Sequence, residues 1–222
     1  MSVSSFLGGL ANPDGKFNKV MTRVFNVLLL NGLFLVTYIP VVTGGASATA
    51  LYYAMSKAVY HDRGQISREF FRSWRREMRQ GICLQLIFLA VAAVAIFDIY
   101  YAYAMAATQA MNVVCLLFGF TTLFLLLPIY LYVYPLLSRV EGSVGGYLSM
   151  AAKLAAQHLL PTIPLLFLMV VLTVLTVLMP PLILVMPGLF SYISCPFINR
   201  VLQKHLDYSQ PLQTGEDAWY RE

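Results

Sequence analysis

Residues 66–105 read ISREFFRSWRREMRQGICLQLIFLAVAAVAIFDIYYAYAM, and the change of character at Gly81 decides the fold. Before it, Arg68, Arg72, Arg75, Arg76 and Arg79 fall within an arc of about 100° on an ideal helix, with Phe71, Trp74, Met78 and Ile82 on a neighbouring arc. After it, Ile82 to Met105 is an apolar run that meets the requirement of about 20 residues for a bilayer core about 30 Å thick. A basic amphipathic helix that feeds an apolar one describes a chain travelling along a membrane surface and then entering it.

The composition of the whole chain agrees. Of its 222 residues 59% are hydrophobic and 11% charged, against about a quarter charged in a soluble domain. So few charges cannot cover a water-soluble shell, and disorder, nucleic-acid packaging and a disulfide scaffold are excluded on the same ground. Cys83, Cys115 and Cys195 lie inside apolar runs without paired spacing, which makes them small core hydrophobes and not ligands.

Working outward from Gly81, further apolar runs occupy Val24 to Val42, Val113 to Leu137 and Leu159 to Ile198, the last long enough for two crossings and broken by Pro180-Pro181. Adjacent prolines remove two backbone donors and stop a helix. Charge placement supplies a sixth crossing. Lys16, Lys19 and Arg23 precede the first run, and Lys57, Arg63 and the α-helical arginines precede Ile82. Cytoplasmic loops carry excess Lys and Arg, so an even number of crossings must separate the clusters, and Ala46 to Tyr60 becomes the return helix, with Lys57 snorkelling to the inner surface.

The expected fold is therefore an all-α membrane protein with six transmembrane helices and one or two cytoplasmic interfacial helices. Its segments are a cytoplasmic stretch 1–23, a first hairpin 24–60, the basic interfacial helix 61–81, a second hairpin 82–137, a cytoplasmic or interfacial segment 138–158, a third hairpin 159–205 and a tail 206–222. Both termini are expected inside a bacterial cell membrane. The outer turns would be Thr43 to Gly45, Ala106 to Asn112 and Pro180-Pro181, which carry no charged residue. The first run is expected to remain as an uncleaved anchor.

Three groups of residues invite a function. Thr43, Gly44, Gly45, Ser47 and Thr49 combine a turn with small residues four apart, suited to close helix packing with hydroxyls across the contact. Arg68, Phe71, Arg72, Trp74, Arg75, Arg76 and Arg79 suit anionic lipid headgroups or a partner protein; topology places them against a membrane, so nucleic acid is not expected. Asp98, roughly 24 Å along its helix from Ile82, is the one acidic residue inside an apolar run, beside Tyr100, Tyr101 and Tyr103. No metal, cofactor or catalytic constellation is expected: His61, His158 and His205 stand far apart, and neither a phosphate-binding lysine loop nor a nucleophile elbow occurs.

The stretch Ile39-Pro40-Val41-Val42-Thr43-Gly44-Gly45-Ala46-Ser47-Ala48-Thr49-Ala50-Leu51-Tyr52-Tyr53, preceded by Asn26 to Leu35 and followed by Phe70-Phe71-Arg72-Ser73-Trp74, resembles the YesL family of bacterial integral membrane proteins, a domain of unknown function. The resemblance covers the first third of the chain. It implies a non-enzymatic accessory role in carbohydrate uptake, next to the permease subunits of an ABC importer, and supplies no site residues. The alternative is an independent small-solute transporter or channel, for which Asp98, Gln85, Gln109, Asn112, Thr121, Thr122, Thr173 and Thr176 would be the polar supply.

Overall fold

Helix α1, Lys16–Tyr38, is the first element of the computed structural model, which describes residues 16–60, 65–104 and 109–205. A single 3-10 turn, Val41–Thr43, leads to α2, Gly44–Ala54, whose last residues continue as a π-helical turn, Met55–Tyr60. Then come α3, Ile66–Arg76; α4, Met78–Ala104; α5, Gln109–Leu137; α6, Val144–Gln157; α7, Leu159–Leu178; and α8, Met186–His205. Four of these helices are long and apolar enough to cross a membrane: α1 from Met21, α4, α5 from Met111, and α7. Residues 1–15 and 206–222, His61 to Gly64, and residues 105–108, which include the start of the expected outer turn at Ala106, lie outside the described residues.

Local chemistry accounts for the breaks. Pro180-Pro181 open a 3-10 turn, Pro180–Leu184, that reverses the chain between α7 and α8, as two missing backbone donors require. The Thr43 hydroxyl donates to the carbonyls of Thr37 (2.6 Å) and Pro40 (2.9 Å), satisfying acceptors that the end of α1 leaves open. Ser143 caps α6, its Oγ accepting from the Gly146 amide at 3.3 Å. Pro128, Pro135, Pro164 and Pro196 sit within helices, which membrane helices tolerate when neighbours satisfy the freed carbonyls.

Helices α4 and α5 form one antiparallel hairpin and α7 and α8 another, and each hairpin is preceded by a short helix, α3 or α6. Between Gly119 and α4 the approach is close: a Cβ on this glycine would meet the Ala95 carbonyl oxygen at 2.9 Å. The core lies at the Gly81 end of the hairpins. Leu131 to Val140 are all buried, and α2 is enclosed on every side, with Ala48 and Tyr60 the half-buried exceptions from Gly44 to Tyr60. The outer flanks of α4, α5 and α7 display Phe97, Phe118, Phe124 and Phe167, the lipid-compatible surface that their composition demands.

Of the expected first transmembrane hairpin, 24–60, α1 is long and apolar enough to cross a membrane and α2 is not. A Cβ on Gly45 would run into the Gly81 carbonyl oxygen, and one on Gly81 would lie 2.6 Å from the Ala46 amide nitrogen. Gly45 also abuts the Tyr134 ring, near the end of α5. The turn Thr43 to Gly45 thus lies at the Gly81 end of α4 and not a bilayer's thickness away from it. From there α2 runs antiparallel to α3, with Tyr53 against Arg76 and Lys57 against Glu69. Counting positive charges misplaces this turn because that count assumes every turn between apolar segments reaches a membrane face. Here the apolar segment is covered by neighbouring helices instead of lipid.

Candidate functional site

Two features at the Gly81 end of the bundle carry the polar chemistry: the exposed stripe on α3 and a buried cluster beneath it. Along α3 and the first turn of α4, Arg68, Phe71, Arg72, Arg75 and Arg79 are exposed, spaced at three, four, seven and eleven residues from Arg68, so they share one helical face. The opposite face, Glu69, Phe70, Ser73 and Glu77, is buried. Beside the arginines Phe71 and Trp74 pack edge to face, with ring centroids 6.5 Å apart. Phe71, 40% exposed, stands among the arginines, while Trp74 is half-buried against the core. The aromatic that anchors α3 is Phe70, with no exposure.

Arg76 departs from the other arginines. Its Nε donates to Glu77 Oε1 at 2.7 Å and its guanidinium lies over the Tyr53 ring, 5.6 Å from the centroid. On the other side of the same ring system Lys57 is 7% exposed, with Nζ 3.0 Å from Glu69 Oε2 and 3.2 Å from the Tyr53 hydroxyl. Lys57 does not snorkel to a surface; it is closed off by α3 and neutralised by a carboxylate, as a buried charge requires. The π-helical turn that carries Lys57 widens the backbone there, a device that often marks a functional or strained position.

Adjacent to this pair, Arg139 joins three segments. It stands two residues beyond α5 and is 3% exposed. Its guanidinium donates to Ser56 Oγ at 3.1 Å and to Asn199 Oδ1, and it covers the Tyr52 ring at 5.7 Å. Asn199 in turn donates through Nδ2 to Ser56 Oγ at 3.1 Å and accepts from the Tyr52 hydroxyl. Charge-assisted bonds of this kind are about twice as strong as neutral ones. The cluster therefore fastens α2, the α5 exit and α8 at one end of the molecule. Position 139 lies at the start of the segment 138–158 that the sequence assigns to the cytoplasm or the interface. The signal that sets it apart from the rest of that segment is local: it is a lone arginine enclosed between Leu136-Leu137-Ser138 and Val140.

A third tie secures α6. The Tyr147 hydroxyl donates to the Val140 carbonyl and accepts from the Gly142 amide, each at 2.8 Å. Burial pushes this phenol above the usual tyrosine range. Gln80 donates to the Gly142 carbonyl at 3.2 Å, so the start of α4 meets the loop between α5 and α6.

The remaining expected site residues are dispersed. Ser47 and Thr49 do not reach across a helix contact; their hydroxyls bond back to the carbonyls of Thr43 (3.1 Å) and Gly45 (2.9 Å) on their own helix. Gly44 packs on the Tyr38 ring. Asp98 is half-buried on α4, far along the helix from the α3 stripe, and its Oδ2 is buried without a hydrogen-bond partner among the described residues; the same holds for Asn112 Oδ1 on α5.

A family model described as a protein of unknown function, DUF624, matches residues 27–99. The matched segment runs from within α1 through α2 and α3 and most of α4, and so contains Lys57, Glu69 and the arginine stripe. No curated protein and no solved structure matches the chain.

Proposed function

We propose that the chain is a non-enzymatic, multi-pass subunit of a bacterial cell membrane that assembles with the permease of a carbohydrate ABC importer, using the α3 face as its docking surface. One observation carries this: Arg68, Phe71, Arg72, Arg75 and Arg79 point outward from a helix whose other side is held by a buried ion pair and Phe70. A charged face on a rigid base suits a permanent contact, because little side-chain and backbone ordering is left to offset. The positive charge is our reason for assigning this end to the cytoplasmic side. With that orientation α4 leaves the cytoplasmic side, α5 returns to it, and α7 leaves from the same side as α4. The assignment to carbohydrate uptake is supported by the resemblance to the YesL family alone; the domain matched over residues 27–99 is one of unknown function.

Co-purification in mild detergent is the test. The full-length protein should retain stoichiometric permease, and Arg68→Glu with Arg75→Glu should release it without altering the yield of folded protein. A wild-type protein that runs alone with its permease present in the same membranes overturns the assignment.

A small-solute transporter is the second reading, favoured by the unpartnered buried oxygens of Asp98 and Asn112, since ionisable groups at membrane depth commonly mark a pathway. Flux in reconstituted vesicles that is unchanged by Asp98→Asn would remove it.

A further inference from the structure

Ser191 is 6% exposed, and its hydroxyl oxygen is buried with no hydrogen-bond partner among the described residues. It lines a cavity of about 160 Å³ between α1, α2, α5, α7 and α8, walled by Phe34, Leu51, Tyr130, Leu131 and Phe190 among others. The other hydroxyls on this wall are engaged: Tyr52 donates to Asn199, Tyr134 to Gln85 at 2.7 Å, Ser194 to the Ser191 carbonyl at 3.4 Å, and Tyr130 is hydrogen-bonded with Tyr134. An apolar cavity of about 150 Å³ stays dry and accepts a small apolar molecule, and a stable water needs at least two polar partners. A wall offering one open hydroxyl does not meet that condition. It fits an apolar body carrying a single polar atom.

The cavity has a route to the bilayer. Met169, Pro187 and Phe190 also line a second cavity of about 220 Å³ in the seam between α7 and α8. The threonines along that seam have spent their hydroxyls on their own helix, Thr173 on the Met169 carbonyl and Thr176 on the Leu172 carbonyl, both at 2.8 Å. Their hydroxyls thus add no open polar group to the seam. Its rim residues Thr173 and Ile183 are exposed on helices whose outer surface is apolar.

From these observations we infer that the chain binds an uncharged single-chain amphiphile, an aliphatic alcohol or its carbonyl counterpart, with the chain lying along the α7–α8 seam and the polar oxygen hydrogen-bonded to Ser191. Octan-1-ol bearing a diazirine on its third carbon is the probe, applied to the full-length protein in detergent and in lipid nanodiscs. Saturable photolabelling is expected within residues 187–194 and 48–52. Unlabelled octanol should compete, and Ser191→Ala should weaken binding about fivefold, the worth of one net hydrogen bond. Ala48→Leu, which fills the cavity from α2, should abolish the labelling while Ser191 remains. Labelling that never saturates and spreads over lipid-facing positions such as Phe97 and Phe118 overturns the site. Saturable labelling that Ser191→Ala leaves unchanged overturns the role of the hydroxyl.

Discussion

Lys57 sits where sequence reading is weakest, because a cation at the edge of an apolar segment has two opposite fates, water or a buried carboxylate. Its partner Glu69 is twelve residues away, on α3, and nothing in the periodicity links them. Removing one member of a buried pair leaves an uncompensated charge and costs about 3–5 kcal/mol, whereas replacing both can be nearly neutral. Lys57→Met should therefore lower unfolding stability in detergent by about 3 kcal/mol or more, and Lys57→Met with Glu69→Leu should recover most of the loss. Equal losses in the single and double variants would show that the pair is peripheral. The glycines give a second residue-scale contrast. At Gly81 a Cβ would lie 2.6 Å from the Ala46 amide nitrogen, while at Gly32 it would meet nothing within 4 Å. Gly81→Ala should destabilise the fold by at least 1 kcal/mol, since only backbone movement relieves the clash. Gly32→Ala should be neutral or stabilising by up to about 1 kcal/mol through helix propensity. Thermal unfolding of the two variants side by side checks both signs.

At the scale of elements, the amphipathic character of α3 was legible from residues 66–81, and so were the long apolar helices and the turn at Pro180-Pro181. What stayed hidden was which way α3 faced. Arginine spacing defines one arc and Phe71 with Trp74 a neighbouring one, but Glu69, Ser73 and Glu77 give the opposite arc no apolar signature, so the burial around Phe70 is not legible there. Burial of Phe70 and the Lys57–Glu69 pair settles the rotation. With this rotation Phe71 becomes an apolar residue among exposed arginines, able to enter the headgroup region as they contact phosphate. Each basic residue near an anionic surface contributes about 1 kcal/mol. Replacing Arg68, Arg75 and Arg79 with Gln should shift the partition of the solubilised protein from phosphatidylserine-containing toward neutral nanodiscs by roughly a hundredfold, to be read as capture ratio in a competition between the two. The preference should shrink as salt rises, since exposed charges are screened within about 10 Å at 0.1 M. A ratio insensitive to both the substitutions and salt would show that α3 does not face lipid.

For the whole molecule, composition correctly announced a membrane protein, and the grouping of positive charge identified the end at which its polar contacts gather. The path of the chain through α1 and α2 was not legible. An apolar segment covered by protein and one covered by lipid have the same composition, and α2, rich in small residues, is covered by protein. The consequence is a topology that can be measured. With Cys83 and Cys115 replaced by Ala, single cysteines can be placed at Val42 in the α1–α2 turn, at Arg75 on α3 and at Ile183 in the α7–α8 turn, all exposed positions. Contact between Gly45 and Gly81 requires the first two to lie at one end of α4, whereas α7 carries the third to the opposite end of its hairpin. A membrane-impermeant maleimide added to oriented vesicles should therefore modify Val42→Cys and Arg75→Cys from the same side and Ile183→Cys from the other. A six-crossing chain with an outer turn at Thr43 to Gly45 would instead group Val42→Cys with Ile183→Cys. The two arrangements differ in which pair of residues shares a compartment, so the grouping decides between them even if the absolute orientation is inverted.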